Sequence, residues 1–315
     1  MSIRPGEVWN DTSGTPIQAH GGGILFDNGT YYWYGENKDA PNSPKEMGRL
    51  HRVDVRGVNC YSSTDLVNWK NEGVVLAPVN EPGHDLHPSQ VVERPKVLKC
   101  PATGQYVMWM HIDSQDYRKA NVGVAVSDKP TGPFAYQGSF RPCGQESRDM
   151  TLFQDEDGTA YLIHSSENNS TIHIAPLTED YLLPEGDFIR AFIGDYREAP
   201  AVFKYQGRYY MLTSGCTGWR PNPARWHSAS AMMGGWETGG DPCVEDSKET
   251  TFDSQPTFVL PLPPTAEGEP ERYLFMADRW NPENLQDSRY VWLPMTMEAG
   301  APRIEWQDEW ELQVG

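Results

Sequence analysis

DEDGTAYLIHSS, residues 155–166, sets a polar turn of Asp, Glu and Gly against an apolar run that opens on Tyr161. A tight turn feeding a short apolar strand is the signature of a β-hairpin. The same pattern recurs as FDNGTYYWYGE (26–36), TGQYVMWMHID (103–113), YQGRYYMLTSG (205–215) and EGEPERYLFMADRW (267–280). The anchoring tyrosines are Tyr32, Tyr106, Tyr161, Tyr209 and Tyr273. A step of roughly 50–75 residues suits one four-stranded blade per repeat, with loops of unequal length. The expected fold is therefore all-β, a five-bladed β-propeller forming one domain over residues 1–315.

Working outward from the anchors, polar hairpins such as YSSTDLVNWKNEG (61–73) and AVSDKPTGPFAYQG (125–138) read as outer blade strands. The anchor strands are almost continuously apolar, as expected of strands buried on both faces between neighbouring blades. The tail RIEWQDEWEL (303–312) reads as a final strand, expected to pair with the N-terminal segment and close the ring.

Bulk properties fit this picture. Hydrophobic residues make up 38% of the chain, with 29 Gly and 26 Pro, the composition of a folded, turn-rich protein. A net charge of −18 repels phosphate backbones, so nucleic acid is not an expected partner. MSIRPGEVWNDT lacks a secretory pattern, and no apolar run is long enough to span a bilayer. The expectation is a cytoplasmic chain if it is complete, or a secreted or periplasmic one if a leader has been removed. No membrane partner is expected, and a monomer is the default. Five cysteines without a CxxC pair argue against a zinc ribbon and a disulfide scaffold.

A propeller gathers side chains from every blade at one end of its channel. The polar residues flanking the anchor strands are Glu36, Glu93 (QVVERPKV), Asp149 (ESRDMTLF), Glu198 (YREAPAVF) and Gln255 (FDSQPTFV). Taken singly, each acid reads as ordinary solvated charge. Five residues in similar register, four of them carboxylates, read as a cluster. Crowded carboxylates raise the proton affinity of one member, which suits a general acid near neutral pH. Cleaving a glycosidic bond needs such an acid and a group opposite it to guide water.

At these residues the chain resembles glycoside hydrolase family 43, and more narrowly its branch of exo-β-1,3-galactanases and related galactofuranosidases. The resemblance rests on IQAHGGGILFDNGTYYWYGENK, VVERPKV, SRDMTLFQDEDGTAYLIHSSE, REAPAVF, TSGCTGW, TTFDSQPTFVLP and MADRWNPENLQDSRYVWLP, and covers essentially the whole chain. It implies an inverting, exo-acting hydrolase of galactose-containing saccharides with no required cofactor. Glu198 would be the general acid and Asp149 the residue that orients it and tunes its pKa. Most members supply a general-base Asp from the first blade, where this chain reads Ala19-His20-Gly21-Gly22-Gly23. In the galactanase branch a glutamine is proposed in that role, and Gln255 matches it. Glu36 and Glu93 would bind sugar, with Glu93 also close to the reaction centre. A calcium ion or water in the central channel is also implied, with His164 facing it.

An amide is a very poor proton acceptor. Gln255 could act as an imidic-acid tautomer, could only position the water, or could leave the proton to a carboxylate. Asp253 is the alternative base, since residues two apart in an extended segment share a face. An inverting pair stands roughly 6.5–9.5 Å apart, the spacing expected between Glu198 and Gln255. Trp219, Trp280 and Arg279 are candidates for stacking on and gripping a sugar, with blade packing as the plainer alternative. His20 opens an HGGG string, but no GxSxG elbow accompanies it, so a lipase oxyanion hole is set aside. The glycines then read as sites of close backbone approach, with His20 kept as a candidate sugar contact. His84, His87 and His111 fall in no metal-binding pattern, and Cys216 reads as a small buried residue. The competing readings are a β-galactofuranosidase or α-L-arabinofuranosidase, and a carbohydrate-binding propeller without catalysis.

Overall fold

The computed structural model describes residues 2–43, 51–263 and 271–312. Strand β1 (Ser2–Ile3) precedes the blades. Blade I is β2 (His20–Asp27), β3 (Thr30–Glu36), β4 (Val58–Ser63) and β5 (Lys70–Leu76). Blade II is β6 (Val91–Lys99), β7 (Tyr106–Asp113), β8 (Asn121–Ser127) and β9 (Ala135–Phe140). Blade III is β10 (Met150–Gln154), β11 (Ala160–Ser166), β12 (Thr171–Pro176) and β13 (Ile189–Ala191). Blade IV is β14 (Arg197–Tyr205), β15 (Arg208–Gly215), β16 (Arg225–Ala229) and β17 (Glu237–Thr238). Blade V is β19 (Gln255–Leu262), β20 (Arg272–Arg279), β21 (Arg289–Glu298) and β22 (Ala301–Glu305), widened by β18 (Cys243–Val244), which joins β22 in parallel. The innermost strands β2, β6, β10, β14 and β19 pack in sequence, and β19 meets β2 to close the ring.

The five tyrosine anchors all sit at or near the start of a second strand, one step out from the channel. The turn of the fifth repeat, residues 267–270, lies outside the described residues. In the second strands the period-two alternation sorts side chains between two blade interfaces. Trp33 points into the cluster shared with blade V, and Tyr34 into the one shared with blade II. Met108 and Met110 face blade I, whereas Val107 and Trp109 face blade III. The core is thus five wedges between blades, which is why these strands show no polar face.

The tail does two jobs where one was expected. Residues 301–305 form the outer strand β22, and β23 (Trp310–Glu311) pairs antiparallel with β1. Ile3 and Trp310 join the wedge between blades I and V, so the clasp grips from outside and shares no strand with a blade. All five cysteines are free. Among the described residues no helix is long and apolar enough to cross a membrane.

One irregularity recurs. The ladder slips directly after His20 in blade I, Glu93 in blade II, Glu198 in blade IV and Pro256 in blade V. A bulge inserts an unpaired residue and re-aims its neighbours. Gly21, Arg94 and Ala199, each one residue past the rung, have left-handed backbone at φ 61°, 56° and 52°. The glycines of the HGGG string serve this geometry: a Cβ on Gly22 would fall on the Tyr34 carbonyl. That obstacle is backbone and cannot swing aside. Gly22→Ala should therefore cost about 3 kcal/mol by overpacking, read as a melting temperature several degrees lower.

Candidate active site

The last rung before the bulge, or in blade V the rung one step earlier, carries the candidate residues. His20 pairs with Glu36, Glu93 with His111, Glu198 with Ser214 and Gln255 with Asp278. In blade III the Ser165 amide donates to the Asp149 carbonyl at the same level. A cavity of about 430 Å³ opens above this rung, lined by Glu36, Glu93, Asp149, Glu198 and Gln255 among others. Trp219 and Trp280 form one wall, edge to face with ring centroids 4.9 Å apart. The Trp219 indole donates to the His51 carbonyl at 2.7 Å, joining the blade I insertion to the blade IV loop at the rim.

Glu198 is half-buried and receives hydrogen bonds from Gln255 Nε2 (3.2 Å) and Asn169 Nδ2 (3.3 Å). These donors favour the ionised form, as does Arg94. Burial and the charge of Asp149 outweigh them and push Glu198 up to about 8. Asp149 therefore acts on Glu198 through its field, and no direct hydrogen bond joins the two among the described residues. Asp149→Asn should move the alkaline limb of the pH–rate profile to lower pH, because a neighbouring negative charge is lost. An unmoved limb in a titration of kcat/KM would sink this assignment.

Arg94 is the hub, and it is 5% exposed. Its guanidinium meets Gln255 Oε1 at 2.5 Å, Asp149 Oδ2 at 2.9 Å and the Pro256 carbonyl at 3.0 Å. Its backbone amide donates to Glu36 Oε1 at 3.0 Å. Gln255 is fully engaged: its oxygen also accepts from Trp280 Nε1 (2.9 Å), and its nitrogen also donates to Ser214 Oγ (3.0 Å). Donors at the oxygen and acceptors at the nitrogen fix the ordinary amide and oppose an imidic tautomer. The expected 6.5–9.5 Å gap between Glu198 and Gln255 is not found, since they are neighbours around the ring and touch.

Glu36 is buried, with Lys38 Nζ 2.6 Å from Oε2. Burial raises its pKa despite that partner. Burial also works to raise Glu93, but the hydrogen bond and charge of His111, helped by Lys38 and Tyr117, hold it down at about 2. Both His111 nitrogens meet carboxylates, Glu93 at 3.2 Å and Asp113 at 3.0 Å. Against its burial, these carboxylates lift His111 to about 9. Glu93, His111 and Asp149 come close enough to hold a metal. However, a protonated imidazole has no free lone pair, and Arg94 already neutralises Asp149, so the trio fits an ionic network better than a cation site.

Several expectations fail, each for a local reason. Asp253 does not share a face with Gln255: Thr251, Phe252 and Asp253 have φ 56°, 55° and 57°, and the strand starts only at Gln255. The alternation invoked for it does not apply, and Asp253 pairs with Lys248 at 3.0 Å at the exposed surface. Arg279 turns outward, bonding the Phe252 carbonyl at 2.8 Å and stacking on Trp306. His20 is 0% exposed, bonded to Asp278 at 3.0 Å and stacked on Tyr290, and it does not line the cavity. Cys216 is exposed to the cavity, not buried in a wedge, and its thiol donates to the Tyr196 carbonyl at 3.2 Å. His164 is buried against His173 and held neutral by burial. Between the inner strands lies the Lys96 ammonium, donating to the Gly21 carbonyl at 2.8 Å and the Arg94 carbonyl at 3.4 Å. A calcium ion there would face two cationic side chains, so these residues do not fit one.

Arg94, Lys96, Lys38, Tyr117 and Asn169 carry no motif of their own in the sequence. A single signal lies between the first two: Pro95 in an inner strand, where proline is tolerated only at a bulge or an edge.

Residues 20–256 match Glycosyl hydrolases family 43. Among curated proteins, the β-D-galactofuranosidase xynD of Aspergillus niger is 25% identical over 173 residues, 52% of this chain and 49% of that protein. The chain thus aligns with only about half the length of that relative. A solved family-43 β-1,3-galactosidase with galactodeoxynojirimycin is 43% identical, with TM-score 0.90, covering 98% of this chain and 99% of that one. An exo-β-1,3-galactanase of Phanerochaete chrysosporium with β-1,3-galactotriose is 39% identical, with TM-score 0.89, covering 99% of this chain and 68% of that one. An exo-β-1,3-galactanase of Clostridium thermocellum is 37% identical, with TM-score 0.85, covering 98% and 66%. The match over residues 20–256 agrees with the five-bladed ring and the acid-lined cavity, and the chain belongs to glycoside hydrolase family 43.

Proposed function

We propose that this glycoside hydrolase removes terminal galactose from β-1,3-galactan by an inverting, exo-acting mechanism. The observation that carries the chemistry is Glu198, a half-buried carboxyl lining a cavity of about 430 Å³ beside Asp149, where burial and that charge push its pKa up to about 8. That volume lies at the small end of ligand sites, and the Trp219–His51 bond walls its rim. Both features suit one terminal sugar. Galactose as that sugar rests on similarity to the galactosidases and galactanases above.

Glu198 would protonate the leaving oxygen. Gln255 would reach the nucleophilic water by exchanging one of its four hydrogen bonds for it, and would act only as a positioning group, since an amide fixes a water without taking its proton. The proton would pass to a carboxylate across the ring, from blade I or II. Of Glu36 and Glu93, Glu36 has the proton affinity for the task, because burial raises it while His111 and its partners hold Glu93 down. Glu36→Ala should lose turnover of an activated aryl galactoside, and azide should restore it as a glycosyl azide. The same rescue in Glu93→Ala instead would move the role to Glu93.

The overall reading is tested with β-1,3-galactan and p-nitrophenyl galactopyranoside, galactofuranoside and arabinofuranoside. Proton NMR of the first-formed anomer completes the test. Release of α-galactose from the galactan is expected. Preferential cleavage of a furanoside, or retention of configuration, would overturn it, and binding without turnover of any substrate would favour a lectin.

A further inference from the structure

We propose that Lys96 is a positioning residue of the active site, its ammonium holding together the bulges of blades I and II so that Glu36 and Arg94 face the cavity in register. Lys96 is 3% exposed and projects from β6 between the inner strands, its stem beside Gly23 of β2. Burying an ammonium is costly unless its donors are used. No carboxylate lies within ion-pairing distance of it among the described residues. Its hydrogen-bond partners there are two main-chain carbonyls, Gly21 and Arg94. Both belong to left-handed bulge residues, which have left the ladder and need another partner.

The amides of the same two residues end on carboxylates. Gly21 donates to Asp278 Oδ2 at 2.6 Å, and Arg94 to Glu36 Oε1 at 3.0 Å. Lys96 is therefore the middle of a relay from Asp278 through Gly21 and Arg94 to Glu36. The charges that face it are the Arg94 guanidinium and the carboxylates Asp149, Glu36 and Asp278. Burial beside Arg94 pulls its pKa down to about 7. A methionine would fill the same space at no desolvation cost. What it lacks is the pair of donors.

The role rests on the glycosidase reading above, and the test keeps the two apart. Turnover is measured on whichever glycoside the wild-type protein cleaves, and galactodeoxynojirimycin binding is followed by calorimetry. Lys96→Met should lower kcat roughly 10- to 100-fold, the penalty of a small misplacement, with a smaller change in KM. Its melting temperature should fall by only a few degrees, because the desolvation cost of the ammonium disappears while two buried carbonyls lose their donor. Lys96→Arg, which keeps donors and charge, should recover a large part of kcat. Should the Met variant fail to fold, Lys96→Gln, too short to span both carbonyls, should show the same fall. Wild-type kcat in a folded Met or Gln variant overturns the proposal. If the wild-type protein neither cleaves nor binds galactose-configured compounds, the galactosidase reading fails, while Lys96 is still judged on the glycoside that is cleaved.

Discussion

Replacing Glu198 by Gln is expected to cut kcat on a β-1,3-galactobioside about 10³-fold, within the range a general acid supplies. The variant keeps the side chain's size, and its amide oxygen can still accept from Gln255 or Asn169, so folding and ligand affinity should change little. The loss should be selective. A dinitrophenyl galactoside, whose phenolate leaves without protonation, should lose less than roughly tenfold. The sign of the pH effect is fixed by the residue's environment. Glu198 acts in its protonated form, so wild-type kcat/KM should fall as pH rises through about 8. That limb should vanish in the variant. Equal losses on both substrates would mean that Glu198 does not donate the proton.

The second large effect is expected for Arg94→Met. Its guanidinium is the charge partner of Asp149, and it also holds the Gln255 oxygen and the Pro256 carbonyl. Removing one partner of a buried ion pair costs about 3–5 kcal/mol, because the other charge is left uncompensated. Differential scanning calorimetry should show a fall in melting temperature on the order of 10 °C. Activity should fall as well, with a particular signature. Arg94 lowers the pKa of Glu198, so its loss should carry the alkaline limb upward, the opposite direction to Asp149→Asn. Lysine should not substitute, since a point charge cannot serve three acceptors in a planar fork. A stable Arg94→Met protein with an unmoved limb would show that the hub is not electrostatically coupled to the acid.

The propeller was legible because its blades repeat a local pattern. Each anchor strand combines a turn signal with buried alternation, and both are properties of neighbouring residues. The rung of candidate residues was legible for the same reason: Glu93, Glu198 and Gln255 sit near the start of their inner strands. What could not be read was direction. Asp253 was placed by extending strand geometry two residues upstream, into a segment that is in fact left-handed. Arg279 and Trp280 are adjacent, yet one packs outside against Trp306 and the other reaches Gln255. His20 marks the rung in blade I, but the residue across from it, Glu36, is the one facing the cavity. Arg94 and Lys96 escaped because their roles come from partners on other blades, at separations no local pattern encodes.

The recurring slip after the rung has a further meaning. A side chain at the last rungs before a ladder fault borders backbone that has left regular pairing. Its identity can therefore change without disturbing the strands that carry the wedges. The ring presents matching sockets on a stiff frame, filled in this chain by Glu93, Glu198 and Gln255, with Asp149 at the corresponding level of blade III and, in blade I, a buried His20 that leaves the cavity to Glu36 across the rung. Swapping the occupant of one socket changes what the cavity can protonate, grip or orient, and leaves the architecture alone. Such a frame is suited to many glycosidic bonds, and the absence of a carboxylate in the first socket is one setting of it.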